Sequence, residues 1–88
     1  MIIEFPFGEY WQPLENFVGF RAMVDNERLD CHMAQKALVR YFKGKGKDPL
    51  VVFKANRKAI EEVARKMIQV RKTDTEGPMA MGVDDFKR

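Results

Sequence analysis

A chain of 88 residues, 45% hydrophobic and 11% aromatic, has the material for a packed globule and lacks the composition of a disordered segment. At this length about 60 to 65% of the extended chain's surface is buried on folding, so the core is modest and a deep enzymatic pocket inside one protomer is not expected. The net charge is +3, and one Cys with one His excludes both an internal disulfide and a zinc cluster built from those residue types.

The chain reads as one domain over residues 1–88, with an ordered core of about 1–72 and residues 73–88 forming either a tail or a short terminal strand. Met1 to Phe7 alternate weakly and suit an edge strand, which Pro6 confines to a position needing no ladder donor. Gly8 to Asn16 reads as irregular. The stretch that follows is more specific. Alternation puts Val18, Phe20, Ala22 and Val24 on one face of a strand and Leu29, Cys31 and Met33 on one face of the next. Asp25 and Asn26 tolerate the positive φ of a tight two-residue turn, and the register they set lays Ala22 opposite Leu29, Phe20 opposite Cys31 and Val18 opposite Met33. It also lays Arg21 opposite Asp30 on the polar face, and a slip of one residue would turn every apolar side chain outward.

Ala34, Ala37, Leu38, Tyr41 and Phe42 then recur as a single helical stripe, which is expected to cover the hairpin. Neither Met33 nor Ala34 is a good N-cap, so a frayed first turn is expected, and Gly44 is expected to end the helix. After the loop KGKGKDP, Asp48 can cap a second helix with Pro49 in its first position. Leu50, Phe53, Ile60, Val63, Ala64, Met67 and Ile68 continue at helical spacing and predict one long helix to about Lys72; a short buried strand over Leu50 to Phe53 is the competing reading. Thr73 to Pro78 breaks the pattern, and Met79, Met81 and Val83 alternate as a terminal strand would. The N-terminus lacks the basic start and apolar run of a signal peptide, and no apolar run is long enough to span a bilayer, so a cytoplasmic protein is expected.

In order and spacing, Phe20, Ala22, Val24, Asp25 and Cys31 in the hairpin, Ala37, Leu38 and Phe42 in the first helix, and Phe53, Arg57, Ile60, Glu61 and Ala64 in the second resemble the small proteobacterial proteins of domain-of-unknown-function family 1488. The resemblance runs from Phe17 to about Ile68. It implies a two-layer α+β fold, with an antiparallel sheet of three to four strands and two helices packed on one face. It brings no activity with it. The chain departs from the family pattern at Met33 and Ala34, where a Ser is expected, and at Asn56, where a His often precedes the Arg.

Charge is segregated along the chain. Residues 34–72 hold twelve basic residues against Asp48, Glu61 and Glu62, a net of +9, and the remainder carries −6. The default explanation is a pair of solvated helix faces, partly neutralised by pairs such as Arg57 with Glu61, Glu61 with Arg65 and Glu62 with Lys66. The functional explanation is an anion-binding surface for RNA, DNA or an acidic protein, built from Lys43, Lys45, Lys47, Lys54, Lys58, Arg65, Lys66 and Lys72. Against a single-strand binder, the aromatics are not interleaved with these cations as such binding requires. The loop of Lys43, Lys45 and Lys47 is no P-loop, because Asp48 stands where Ser or Thr would and the spacing between glycines is wrong.

His32 lies on the polar strand face near Asp30, but residues two apart on a strand are about 6 to 7 Å apart, and no nucleophile or oxyanion donor accompanies the pair. Cys31 faces the core and behaves as a small hydrophobe. Phe5, Phe7, Tyr10 and Trp11 are expected to lid the core; exposed, Tyr10 and Trp11 would be candidate protein-partner contacts. The sequence therefore presents no catalytic, cofactor-binding or metal-binding residues, no cofactor, and no membrane or small-molecule partner. The expected function is a non-catalytic binding or regulatory module for an unidentified protein partner or for self-association between oppositely charged faces, with nucleic-acid binding as the alternative and a small hydrolase a distant third.

Overall fold

The computed structural model describes residues 1–71 and 77–86. Among the described residues five strands, β1 (Ile3–Glu4), β2 (Tyr10–Gln12), β3 (Phe17–Val24), β4 (Glu27–Ala34) and β5 (Met79–Met81), form one sheet covered on one face by α1 (Gln35–Phe42), α2 (Pro49–Ala55) and α3 (Arg57–Arg71), with a turn of 3₁₀ helix at Val83–Phe86. The fold is α+β in two layers, as the hairpin and its covering helix imply.

The central hairpin has the register its alternation demands, from Val24 opposite Glu27 to Phe17 opposite Ala34. Asp25 and Asn26 both take positive φ, 50° and 70°, which the twist of a two-residue hairpin turn requires. Asp25 has a second use: its Oδ1 accepts from the Ile2 N–H and its own N–H donates to the Ile2 carbonyl, both at 2.8 Å, clipping the N-terminal strand to the turn. β1 then pairs antiparallel with the end of β3, Ile3 opposite Val24.

Several expectations are corrected. The segment Gly8 to Asn16 is not wholly irregular, because Tyr10–Gln12 pairs with the other half of the same β3 edge, Trp11 opposite Val18. β1 and β2 thus share one edge, separated by the Pro6 to Glu9 excursion. The sheet is mixed: β5 lies along the other side of β4 in parallel, Cys31 matched with Met79 and Met33 with Met81, because the chain returns to β4 by way of the helical layer. Arg21 does sit opposite Asp30, but Asp30 pairs with Arg28 at 2.9 Å on its own strand, whose long side chain spans the two-residue gap.

The second predicted helix is two. α2 begins as expected, with Asp48 Oδ1 accepting from the Leu50 N–H at 2.9 Å and Pro49 in the first turn, which settles Leu50 to Phe53 as helix. It ends at Asn56, whose φ of −119° leaves the helical range. The Asn56 N–H donates to the Phe53 and Val52 carbonyls and its Nδ2 donates to Val52 at 2.9 Å, while its own carbonyl accepts the Ile60 N–H that opens α3. Val52 and Phe53 of α2 and Ile60, Ala64 and Ile68 of α3 all face the core across this break.

α1 has no side-chain cap at Ala34, as expected; one of its orphan donors is met instead by the Asn16 carbonyl, which accepts from the Gln35 N–H at 2.9 Å. At its other end the left-handed residue is Lys43 (φ 55°), not Gly44. Gly44 follows it with its N–H on the Leu38 carbonyl, so close that a Cβ would lie 3.0 Å from that oxygen. The helices and the inner sheet face meet in one core of Val18, Phe20, Cys31, Met33, Leu38, Phe53, Ile60 and Met81, extended by their smaller neighbours. Lys72 and residues 73–76 of the predicted Thr73 to Pro78 break lie outside the described residues.

Candidate anion-binding surface

Where the strand edge meets the helices, Arg57 gathers four partners. Its Nη2 lies 2.6 Å from Glu9 Oε1 and its Nη1 3.7 Å from Glu61 Oε2, one turn along α3. Its guanidinium carbon stands 4.8 Å from the centre of the Phe7 ring and 5.5 Å from that of Phe53. The Glu9 side chain is only 8% exposed and that of Arg57 18%, so the pair is shielded from bulk water and from salt. The hydrogen bond from Arg57 holds the Glu9 carboxyl below the ordinary carboxylate range, although burial pushes the other way. Arg57 and Lys58 open α3 with no acidic residue in its first turn, an arrangement the helix dipole opposes, and the Glu9 carboxylate brought in from the strand side offsets it.

Of the expected anion-contact residues, Lys43, Lys45, Lys47, Lys54, Lys58 and Lys66 are exposed, and among the described residues none of them is ion-paired. Arg65 is not available in the same way. Its Nη1 donates to the Ile3 carbonyl, its Nε lies 3.7 Å from Glu62, and its guanidinium sits 5.5 Å from the Phe5 ring, so it fastens β1 to α3. The neutralising pairs differ accordingly. Arg57 with Glu61 forms, whereas Glu62 turns to Arg65 and leaves Lys66 uncompensated. Asp48 is spent on its helix cap.

Tyr10 and Trp11 point to opposite faces of the sheet. Trp11 packs against the core, half-buried, in the lid position expected of it. Tyr10, 49% exposed, lies on the outer face over Gly19, where a Cβ would come within 2.3 Å of its ring. Beside it Phe17 stacks on His32 with ring centres 3.8 Å apart, so the histidine is occupied by an aromatic neighbour while Asp30 is held by Arg28. Cys31 is buried. A cleft of about 770 Å³ beside the hairpin turn is lined by the hairpin residues 24, 25 and 27–30 together with Met1, Ile68, Gly77 and Pro78, and of its charged groups Asp25, Arg28 and Asp30 are engaged as described. Among the described residues no group of three or more His, Cys, Asp or Glu is placed to hold a metal ion, and no helix is long and apolar enough to cross a membrane.

Sequence reasoning gives Pro6 and Phe7 no role beyond the strand edge and the lid. The signal that marks Phe7 is its place between Pro6 and Gly8, whose φ of 135° is open to glycine and strained for other residues.

These features belong to a mixed-sheet α+β class, and the chain belongs to the family described as "Protein of unknown function (DUF1488)", whose pattern matches residues 3–81. It is 32% identical over 76 residues to the "Uncharacterized protein YrdB" of Escherichia coli (strain K12), covering 85% of this chain and 89% of that protein. It also resembles the crystal structure of a protein of unknown function from the same family from Shewanella loihica PV-4, with a TM-score of 0.75, 26% identity and 90% of each chain covered.

Proposed function

We propose that this protein is a non-catalytic binding module of the bacterial cytoplasm that holds an anionic macromolecular partner on its helical layer. The observation that carries the reading is how the charges of that layer are spent. Its three carboxylates are engaged, Asp48 by a helix cap and Glu61 and Glu62 by arginines, whereas the exposed lysines of the α1–α2 loop, α2 and α3 are uncompensated. Solvated lysines in such numbers raise the local concentration of a polyanion and release its counterions on contact. A single cysteine, buried in the core, is in keeping with a cytoplasmic setting.

The test is a fluorescence-anisotropy titration with labelled single-stranded RNA, duplex DNA and polyglutamate from low to physiological salt. Binding that weakens steeply with salt and is lost when Lys43, Lys45 and Lys47 become Ala is the expected result. Absence of binding to every polyanion at low salt would leave the basic layer as a solvated face and remove the proposal.

A further inference from the structure

We infer that the partner is a single-stranded nucleic acid, and that Phe7 is the platform on which one of its bases stacks. This rests on the anion-binding reading above and sharpens it. In the sequence Phe7 is far from the cations of the helical layer; the fold brings it to Arg57 by laying the Pro6 to Glu9 excursion against α3. Phe7 is 80% exposed, yet its ring is held, with the Arg57 guanidinium 4.8 Å from its centre.

Three features fix that placement. Pro6 restricts the backbone before the ring, Gly8 supplies a φ of 135° after it, and Glu9 anchors the next residue to Arg57 at 2.6 Å. Phe7 therefore presents one ring face to solvent with little freedom left to lose. Two uncompensated lysines lie close to Arg57 in the chain. Lys54 and Lys58, three residues before and one after Arg57, are exposed and without ion pairs among the described residues, and the nearby carboxylates of Glu9 and Glu61 are both turned onto Arg57. A planar apolar face next to the helical layer that carries such lysines suits a base with its neighbouring phosphates, since stacking on an aromatic tolerates any base and exposed lysines can follow the backbone. An acidic peptide would use the lysines and leave the ring idle.

The experiment compares oligouridine, an abasic strand of the same length and polyglutamate as labelled probes against the wild type, Phe7→Leu, Phe7→Tyr and the Lys54→Ala and Lys58→Ala variants. The expected result is that oligouridine binds more tightly than the abasic strand, that Phe7→Leu loses about tenfold on oligouridine alone, and that Phe7→Tyr keeps it. Each lysine variant is expected to lower the slope of log affinity against log salt by about 0.7, which Phe7→Leu leaves unchanged. Phe7 is outside the core, so melting temperature should barely move in Phe7→Leu. Equal binding of oligouridine and abasic strand, or an unaffected Phe7→Leu, overturns the stacking site while the anionic surface stands. Binding to polyglutamate alone overturns the nucleic-acid inference in the same way. No binding to any probe removes both.

Discussion

Glu9 and Arg57 show how one ion pair can tie two layers together. With both side chains only partly exposed, removing one partner leaves the other charge without its counter-ion, and a loss of about 1 to 2 kcal/mol is expected for Arg57→Ala by equilibrium denaturation. The same pair sets a pH dependence. The folded-state pKa of Glu9 lies below its unfolded value, so its contribution is fully present above the unfolded pKa and is lost as pH falls through the folded one. Acid denaturation curves of wild type and Glu9→Gln should therefore converge toward low pH, with the wild type the more stable at neutral pH. A gap that persists unchanged in acid would contradict this account. Phe53, wholly buried beside Arg57, marks the other limit: Phe53→Ala should cost about 3 to 5 kcal/mol in the same assay, as cavities under small cores do.

At the scale of elements, helix ends and strand faces carry the predictions. Ala34 has extended backbone (φ −64°, ψ 136°) and no side-chain bond to the first turn of α1, so Ala34→Ser should add about 1 kcal/mol, read as a rise in melting temperature. The Asn16 carbonyl already satisfies the Gln35 N–H, so the gain comes from the donors further along that turn. On the outer face of the sheet, Gly19→Ala collides with the Tyr10 ring, but the colliding atoms are at the free end of an exposed side chain. The cost should be about 1 kcal/mol and vanish in a Tyr10→Ala background; an undiminished cost there would place the conflict in the β3 backbone instead. The break at Asn56 belongs here too. Counting at a period of 3.6 runs straight through it, because an Asn in a polar position disturbs no hydrophobic pattern, and its side-chain bond to the Val52 carbonyl leaves no periodic mark.

For the whole molecule the decisive property is the placement of charge. The helical layer holds the excess of lysine and the sheet side the excess of carboxylate, a separation already present along the sequence as +9 against −6. Whether those lysines are neutralised depends on side-chain reach across elements: Arg65 abandons the helical pair expected of it for the Ile3 carbonyl and the Phe5 ring, and Glu62 follows Arg65. A polyanion titration of the Lys43, Lys45 and Lys47 triple variant reads this property directly, and the melting temperature of that variant should change little because the three residues are exposed.

The hairpin register, its Asp25–Asn26 turn, the Asp48–Pro49 helix start and most of the core were determined by local rules: two-residue alternation, φ preference and capping chemistry act between neighbours in sequence, so they are legible there. The parallel return of β5, the pairing of β1 and β2 on one edge, and the seat of Phe7 and Glu9 on Arg57 were decided only by tertiary structure. Each joins segments distant in sequence, and none leaves a periodic mark. Nothing in PFGEY names its partner on α3; an arginine far along the chain becomes its neighbour only because the sheet edge and the start of α3 must share one small core.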